Sequence, residues 1–352
     1  MENNAACPLT LANGFNACTA VTADTFGIDP NYRVGYAQVW NVSVQRDLPE
    51  AMQIVGSYFG VKGTHGAQQL LPNTYPIGAA NPCPGCPSGF VYRTSGGNAA
   101  REAGQVQLRR RLRSGLTASV EYTYAKSIDD DAELGGQGYV TASQSQNAAA
   151  GVATNPTAAI AQNWRDLRAE KALSTFDQRH LLTLTAQYTS GEGLGGGSLM
   201  SGWRGRLLKE WTLAGTLSAG SGLPETPIYP AAVPGTGFTT TLRPSLTGAP
   251  IYGSGTRAHL NAAAYMAPAA GEWGTAGRDS ITGPSQLSLN NSLARTFRPH
   301  GRLYLDVRVD ATNTLNHSAF TNWNVVLGNA QFGLPVTANP MRSLQTTIRL
   351  RF

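Results

Sequence analysis

Charged side chains are scarce. The 27 Lys+Arg and 21 Asp+Glu make up 14% of the 352 residues, where soluble domains carry roughly 25%. Long apolar runs are missing too: no stretch reaches the ~18 to 20 residues of a spanning helix, which excludes a helical membrane protein. The net charge of +6 is spread without a Lys/Arg-rich block, so no nucleic-acid partner is expected. The start, Met1-Glu2-Asn3-Asn4, lacks the basic residues and apolar core of an export signal. Glycine (40) and proline (20) are abundant, yet 41% of the chain is hydrophobic, enough apolar surface to exclude compositional disorder.

Catalytic constellations are absent as well. The histidines His65, His180, His259, His300 and His317 are scattered, without a His-Glu-x-x-His pair. No Gly-x-Ser-x-Gly elbow occurs, and the glycines from Gly191 to Gly197 precede no Lys-Ser/Thr phosphate cradle. Neither an enzyme, a cofactor nor a metal ligand set is expected. The run Asp129-Asp130-Asp131-Ala132-Glu133 lacks the alternate-position spacing of a calcium loop and reads as a solvated loop start. Residues 165–171 have a helical look and read as a short packing helix.

Cysteine is limited to Cys7, Cys18, Cys83 and Cys86, all in Pro/Gly/Asn-rich stretches. That placement suits two short-loop disulfides in an oxidising compartment. A zinc site and unpaired thiols remain alternatives, although only Cys83-Pro-Gly-Cys86 has ligand spacing.

What the chain has in quantity is alternation with a period of two. Leu344, Thr346, Ile348, Leu350 and Phe352 share one face of the last segment, and Gln345, Thr347, Arg349 and Arg351 the other. Leu303, Leu305, Val307, Val309 and Ala311 alternate with Arg302, Tyr304, Asp306, Arg308 and Asp310. The same rule holds over 116–124, 182–188 and 211–218. It holds with blemishes such as Arg110 over 36–47 and 104–113, and more weakly over 51–61 and 285–296. Nine strands result, each close to the ~9 to 11 residues that a tilted strand needs to cross a bilayer.

A soluble sandwich with one wet face would alternate likewise. The connections argue against it: they run about 3, 42, 2, 55, 22, 64, 5 and 30 residues, and long and short ones take turns as in transmembrane barrels, whose turns are short on the periplasmic side and long outside. Connections of ~40 to 60 residues would count against a compact soluble domain. One face then meets lipid. The other, carrying Arg109, Arg111, Glu121, Asp306, Arg308, Asp310, Arg349 and Arg351, meets a hydrated lumen. Tyr36, Trp40, Tyr122, Tyr124, Tyr188 and Trp211 fall near strand ends, as in aromatic girdles. Nine antiparallel strands cannot close, because the first and last run the same way. Either a tenth strand hides in residues 1–33 or in a long loop, or the chain is the C-terminal part of a larger barrel.

Several motifs are specific in their order. They are Trp40-Asn41-Val42-Ser43-Val44-Gln45-Arg46, Val55-Gly56-Ser57-Tyr58 and Lys62-Gly63-Thr64-His65, then Tyr122-Thr123-Tyr124-Ala125-Lys126-Ser127-Ile128-Asp129-Asp130 and Phe176-Asp177-Gln178-Arg179-His180. Gly277-Arg278-Asp279, Gly283-Pro284, Thr312-Asn313-Thr314-Leu315-Asn316-His317 with Phe320, and the terminal alternation complete the set. With them the chain resembles the C-terminal half of the barrel of a TonB-dependent outer-membrane transporter, of the Oar-like group with a carboxypeptidase-regulatory-like domain.

The resemblance implies an all-β, transmembrane antiparallel barrel of 22 strands, of which residues 1–352 would supply nine or ten, without the plug domain or signal peptide. It implies insertion into the Gram-negative outer membrane, with contacts to outer-membrane lipid. Leu344, Thr346, Ile348, Leu350 and Phe352 would be the signal for the barrel-assembly machinery. The TonB system would engage the missing N-terminal part. The expected function is TonB-dependent uptake of an unknown bulky solute by the full-length parent. A passive porin-like channel and a surface-exposed structural or adhesion protein are the alternatives.

Overall fold

The structure, a computed structural model, describes residues 26–70, 80, 91–130, 162, 166–191, 202, 203, 208–231, 242–253, 259–298 and 303–352. Its strands in chain order are β1 (Phe26–Ile28), β2 (Tyr36–Leu48), β3 (Met52–Leu70), β4 (Val91–Arg113), β5 (Leu116–Asp129), β6 (Ala172–Leu173), β7 (His180–Thr189), β8 (Trp211–Gly220), β9 (Pro224–Glu225), β10 (Ser245–Leu246), β11 (Tyr265–Met266), β12 (Ile281–Thr282), β13 (Gln286–Phe297), β14 (Tyr304–Thr312), β15 (Phe320–Trp323), β16 (Pro335–Ala338) and β17 (Ser343–Arg351). Nine of them form one antiparallel meander in the order β2-β3-β4-β5-β7-β8-β13-β14-β17. These are the nine segments expected from the alternation.

Two strands are longer than the alternation indicated. β3 has 19 residues and β4 has 23, and their ladder runs from Met52↔Arg110 to Leu70↔Tyr92, with irregularities between Thr64 and Gln68. The added part, such as Gly63-Thr64-His65-Gly66 against Ser95-Gly96-Gly97-Asn98, is polar or small at both parities. Beyond the membrane the hairpin packs against neighbouring segments, with Ala67, Gln68, Leu70 and Ala99 buried, so neither face follows the lipid–water alternation while the ladder persists. No tenth long strand joins the sheet among the described residues: β1 lies parallel to β4 over three residues, and β6 adds two residues beside β5. The sheet ends at β2 and β17 and is not closed.

The register carries the two faces across the whole sheet. One row passes Leu48, Met52, Arg110, Ala118, Ala186, Gly215, Asn291, Ala311 and Leu344, one residue from every strand. The neighbouring row on the opposite face passes Asp47, Gln53, Arg109, Ser119, Thr185, Thr216 and Asn290. Because the side-chain period is two, a slip of one residue at any ladder would reverse every face beyond it. Close packing helps pin the first hairpin: Trp40 stands opposite Gly60, and a Cβ at Gly60 would lie 2.1 Å from the indole.

The described parts of 221–285 and the segment 313–342 fold together at one end of the sheet. Their core is Ile228, Leu260, Ala264, Tyr265, Ala276, Ile281, Val325 and Phe332. Three two-stranded ladders frame it, β9 with β12, β10 with β11 and β15 with β16, and isolated bridges join Ile228 to Val326 and Tyr229 to Leu242. The His259 ring stacks on Trp323 at 4.5 Å. Sequence patterning does not reveal this second core, because its members come from short, irregular pieces without a period.

Candidate functional site

Two arrangements stand out, a polar face on the sheet and a braced platform at its loop end. On the polar face the ladders bring together Arg109, Arg111, Glu121, Asp306, Arg308, Asp310, Arg349 and Arg351. Many of these charges pair locally. Arg111 lies 3.2 Å from Asp47, Arg308 lies 2.8 Å from Asp310, Arg351 lies 2.9 Å from Asp306, and Gln107 donates to Glu121 at 3.0 Å. The same side holds a trough of about 740 Å³ lined by residues that include Arg109, Thr185, Thr216, Asn290 and Asp310. Such a surface suits water and polar solutes, with charges held by polar neighbours on the same face instead of an apolar core.

The opposite face is apolar and bordered by rings. Tyr122 and Tyr124 lie beside His180 at the loop end. At the turn end Trp211 meets Phe297 edge-on, with centroids 6.4 Å apart. Leu182, Leu184 and Ala186 lie between His180 and Tyr188 on β7. Eight residues of tilted strand span roughly 20 Å along the membrane normal, comparable with the apolar band of a barrel.

Loop-end bracing rests on two arginines. Arg243 bonds both oxygens of Glu170, at 2.7 and 2.8 Å, and donates Nε to the carbonyl of Ala276. Glu170 closes the short 3-10 helix Leu167–Glu170, so the segment 165–171 does contain a packing helix. Gln162 completes the unit: its backbone N–H donates to Glu170, its side-chain oxygen accepts from the N–H of Arg243, and its amide donates to Gly274. Gly274 is required here, because a Cβ would fall 1.8 Å from the carbonyl oxygen of Arg243. Arg278 donates to the carbonyl of Glu170, to Asp279 at 3.0 Å, and to both the carbonyl and the carboxylate of Asp129. Asp129 is therefore not a solvated loop start. It is 1% exposed and anchors the platform to the end of β5.

Electrostatics follow from this burial. Desolvation would raise the Glu170 carboxyl, but Arg243 and the Gln162 N–H hold it below the usual range. Burial pushes Asp279 up to about 7 despite Arg278, whose charge is shared with Asp129. Glu225 is pushed up to about 8 by burial and is only partly offset by the N–H of Trp323, which reaches its two oxygens at 3.1 and 3.2 Å. That bond ties 221–285 to 313–342.

The model of the outer membrane beta barrel domain family matches residues 1–345. The chain belongs to that family. As an outer-membrane β-barrel protein it lies in the Gram-negative outer membrane, which makes the apolar face the lipid side and the paired, polar face the inner one. Comparison with curated sequences gives no match. Among solved structures it is similar to the outer membrane transporter YddB from Escherichia coli, at 10% identity over 91% of this chain and 32% of that one, with a TM-score of 0.43. The FrpB iron transporter from Neisseria meningitidis gives 10% identity, 93% and 31% coverage and a TM-score of 0.42. P. aeruginosa FpvA bound to heterologous pyoverdines gives 12%, 88% and 26%, and 0.42. This chain spans about a third or less of the length of each.

Several motifs of the outer-membrane chain prove to be braces at the rim. Asp177 accepts from the N–H of Ser127 at 2.5 Å, Gln178 donates to the carbonyl of Ser221, and the N–H of His180 donates to the Ser221 hydroxyl. Asn313, at φ +46°, receives the N–H of His317 and donates to the carbonyls of His317 and Pro340. Leu344, Thr346, Ile348 and Leu350 stand opposite Ala311, Val309, Val307 and Leu305 on the lipid side. Cys7, Cys18, Cys83 and Cys86, like Asp131 and Glu133, lie outside the described residues. Sequence reasoning missed Glu170, Arg243 and Glu225. Arg278 and Asp129 were visible only as members of motifs, with no sign that they meet.

Proposed function

We propose that this chain forms the C-terminal part of a TonB-dependent outer-membrane transporter, of the Oar-like group, which takes up a bulky polar solute. The observation that carries this is the presence, on one sheet, of a charged inner trough at Arg109, Arg308 and Asp310 and of loops that are folded and cross-braced. A pore for small solutes needs no such platform, whereas a receptor needs a stable surface facing outward. The family membership and the motif series support the reading. The open edges β2 and β17 support the need for further strands: with nine strands in an antiparallel order they run in the same direction, so an all-antiparallel closure takes an odd number of additional strands. In the completed protein the TonB system would act through a segment that these strands follow, and the terminal residues Leu344, Thr346, Ile348, Leu350 and Phe352 would address the barrel-assembly machinery.

The test is uptake. A gene deletion and a TonB-deficient strain are compared with wild type for labelled oligosaccharides and peptides too large for general porins. Loss of the same solute in both strains is expected. Unchanged uptake of every solute in the deletion strain refutes transport, and loss in the deletion strain alone refutes TonB dependence.

A further inference from the structure

The motif Lys62-Gly63-Thr64-His65 ends on a residue with a strained backbone. His65 has φ +60°, a left-handed conformation uncommon for a residue with a Cβ. It is also the extra residue of a bulge, since Thr64 pairs with Asn98 and Gly66 with Gly97. Bulges re-aim a side chain, and backbone strain collects where a ligand is held. Three contacts keep His65 in place. Its ring meets Tyr36 edge-on with centroids 5.9 Å apart, and its Nδ1 lies 3.3 Å from the carbonyl oxygen of Ser95. Gly35 passes so close that a Cβ would lie 3.0 Å from the His65 carbonyl oxygen. With Nδ1–H donating to Ser95, Nε2 is left as an acceptor.

Beside His65 lies a hollow of about 370 Å³, lined by the outer halves of β3 and β4 and by the strap 29–33. It belongs to the loop end, the outer end in barrels of this kind. β1 runs along β4, and the N–H of Asp29 donates to the carbonyl of Arg93, which fixes the start of the strap. A turn follows: the N–H of Asn31 donates to the Asp29 carboxylate at 2.8 Å and that of Tyr32 to the Asp29 carbonyl. The N–H of Arg33 then donates to the Ser95 hydroxyl at 2.9 Å and returns the strap to β4. Asp29 and Arg33 therefore line one hollow with opposite charges. Neither forms an ion pair with the other or with any further group among the described residues. Hydroxyls of Thr64 and Thr94 lie in the same lining.

We infer that this hollow binds a zwitterionic peptide, with the peptide ammonium on Asp29 and a carboxylate on Arg33. The inference names the solute class of the uptake proposed above and rests on that reading. Charge complementarity selects the occupant. A neutral glycan would take both charges out of water without a partner, and an anion would satisfy Arg33 but face Asp29. A peptide supplies one charge of each sign, and guanidinium takes a carboxylate through two parallel N–H bonds. Its amide N–H and C=O suit the Nε2 acceptor of His65 and the two threonine hydroxyls. The carboxylate is terminal in a dipeptide and a nearby acidic side chain in a longer peptide.

The test is calorimetric titration of the full chain, folded in non-ionic detergent, with alanyl-alanine, N-acetyl-alanyl-alanine, alanyl-alaninamide and maltose. Wild type is expected to bind alanyl-alanine, each singly blocked form about tenfold more weakly, and maltose not at all. Asp29→Asn removes the penalty for acetylation and keeps that for amidation, and Arg33→Gln does the reverse. A folding defect would not separate the two penalties. His65→Gly keeps the left-handed backbone, loses the acceptor and weakens alanyl-alanine about threefold. Heat-modifiable gel mobility reports folding of each variant. Absence of alanyl-alanine binding, equal affinity for the blocked forms, or preference for maltose overturns the inference. Uptake that fails in the deletion strain while the chain ignores alanyl-alanine refutes the peptide site alone. Binding with both penalties, in a protein whose deletion leaves uptake unchanged, refutes transport alone and leaves the site standing.

Discussion

Arg278 and Asp129 are 149 positions apart in the chain and form an ion pair with Nη2 2.5 Å from Oδ1, both side chains almost fully buried. The pair fastens the loop platform to the end of a membrane strand. Buried pairs cost desolvation, so their net worth is small, but removing one partner strands the other and is expensive. Arg278→Met is therefore expected to destabilise the platform by about 3 to 5 kcal/mol while the strands persist. Hydrogen exchange over 259–285 should rise sharply, with exchange of β7 and β8 unchanged.

Asn313 occupies a left-handed backbone conformation that asparagine tolerates better than most residues. It also supplies three hydrogen bonds within 313–342 and to Pro340. Asn313→Gly keeps the backbone freedom and loses the bonds, whereas Asn313→Ala loses both. Local stability by hydrogen exchange at 314–342 should fall by about 1 to 3 kcal/mol in the glycine variant and further in the alanine variant.

Glu225 and Asp279 make the platform sensitive to alkali. Their carboxyls rise from 4.5 to about 8 and from 3.8 to about 7 on folding, chiefly through burial. The folded form then binds the proton more tightly than the unfolded one. The stabilisation is complete below about pH 4 and is lost as pH rises through 7 and 8. Protease cleavage of 221–285 should be faster at pH 8.5 than at pH 5.5. Glu225→Gln, which keeps an oxygen for the Trp323 N–H, should flatten that dependence. A profile unchanged in Glu225→Gln would contradict the assignment.

The two faces of the sheet predict opposite tolerances. Leu184 and Leu217 pair with each other midway along the lipid side, and arginine at either should cost about 2 to 4 kcal/mol. Arginine at Thr185 or Thr216, their neighbours on the polar side, should cost far less. Urea titration of folding into phospholipid vesicles measures both, and equal costs would reverse the assignment of inside and outside.

Nine strands, their faces and the alternation of short and long connections were all legible in residues such as Leu305, Val307 and Val309 against Asp306, Arg308 and Asp310. A membrane strand meets two solvents, and each side chain must match the one it faces, so the local pattern alone reports the geometry. Beyond the membrane that constraint ends, which is why the alternation does not extend over the outer halves of β3 and β4. Only the tertiary structure decided that Gln162, Glu170, Arg243 and Arg278 converge, that Asp129 is buried, and that Ile228, Tyr265 and Val325 share a core. Those partners come from separate loops and follow no period. Their pairing is set by closure in space, where a buried charge is tolerated only once its counter-charge arrives.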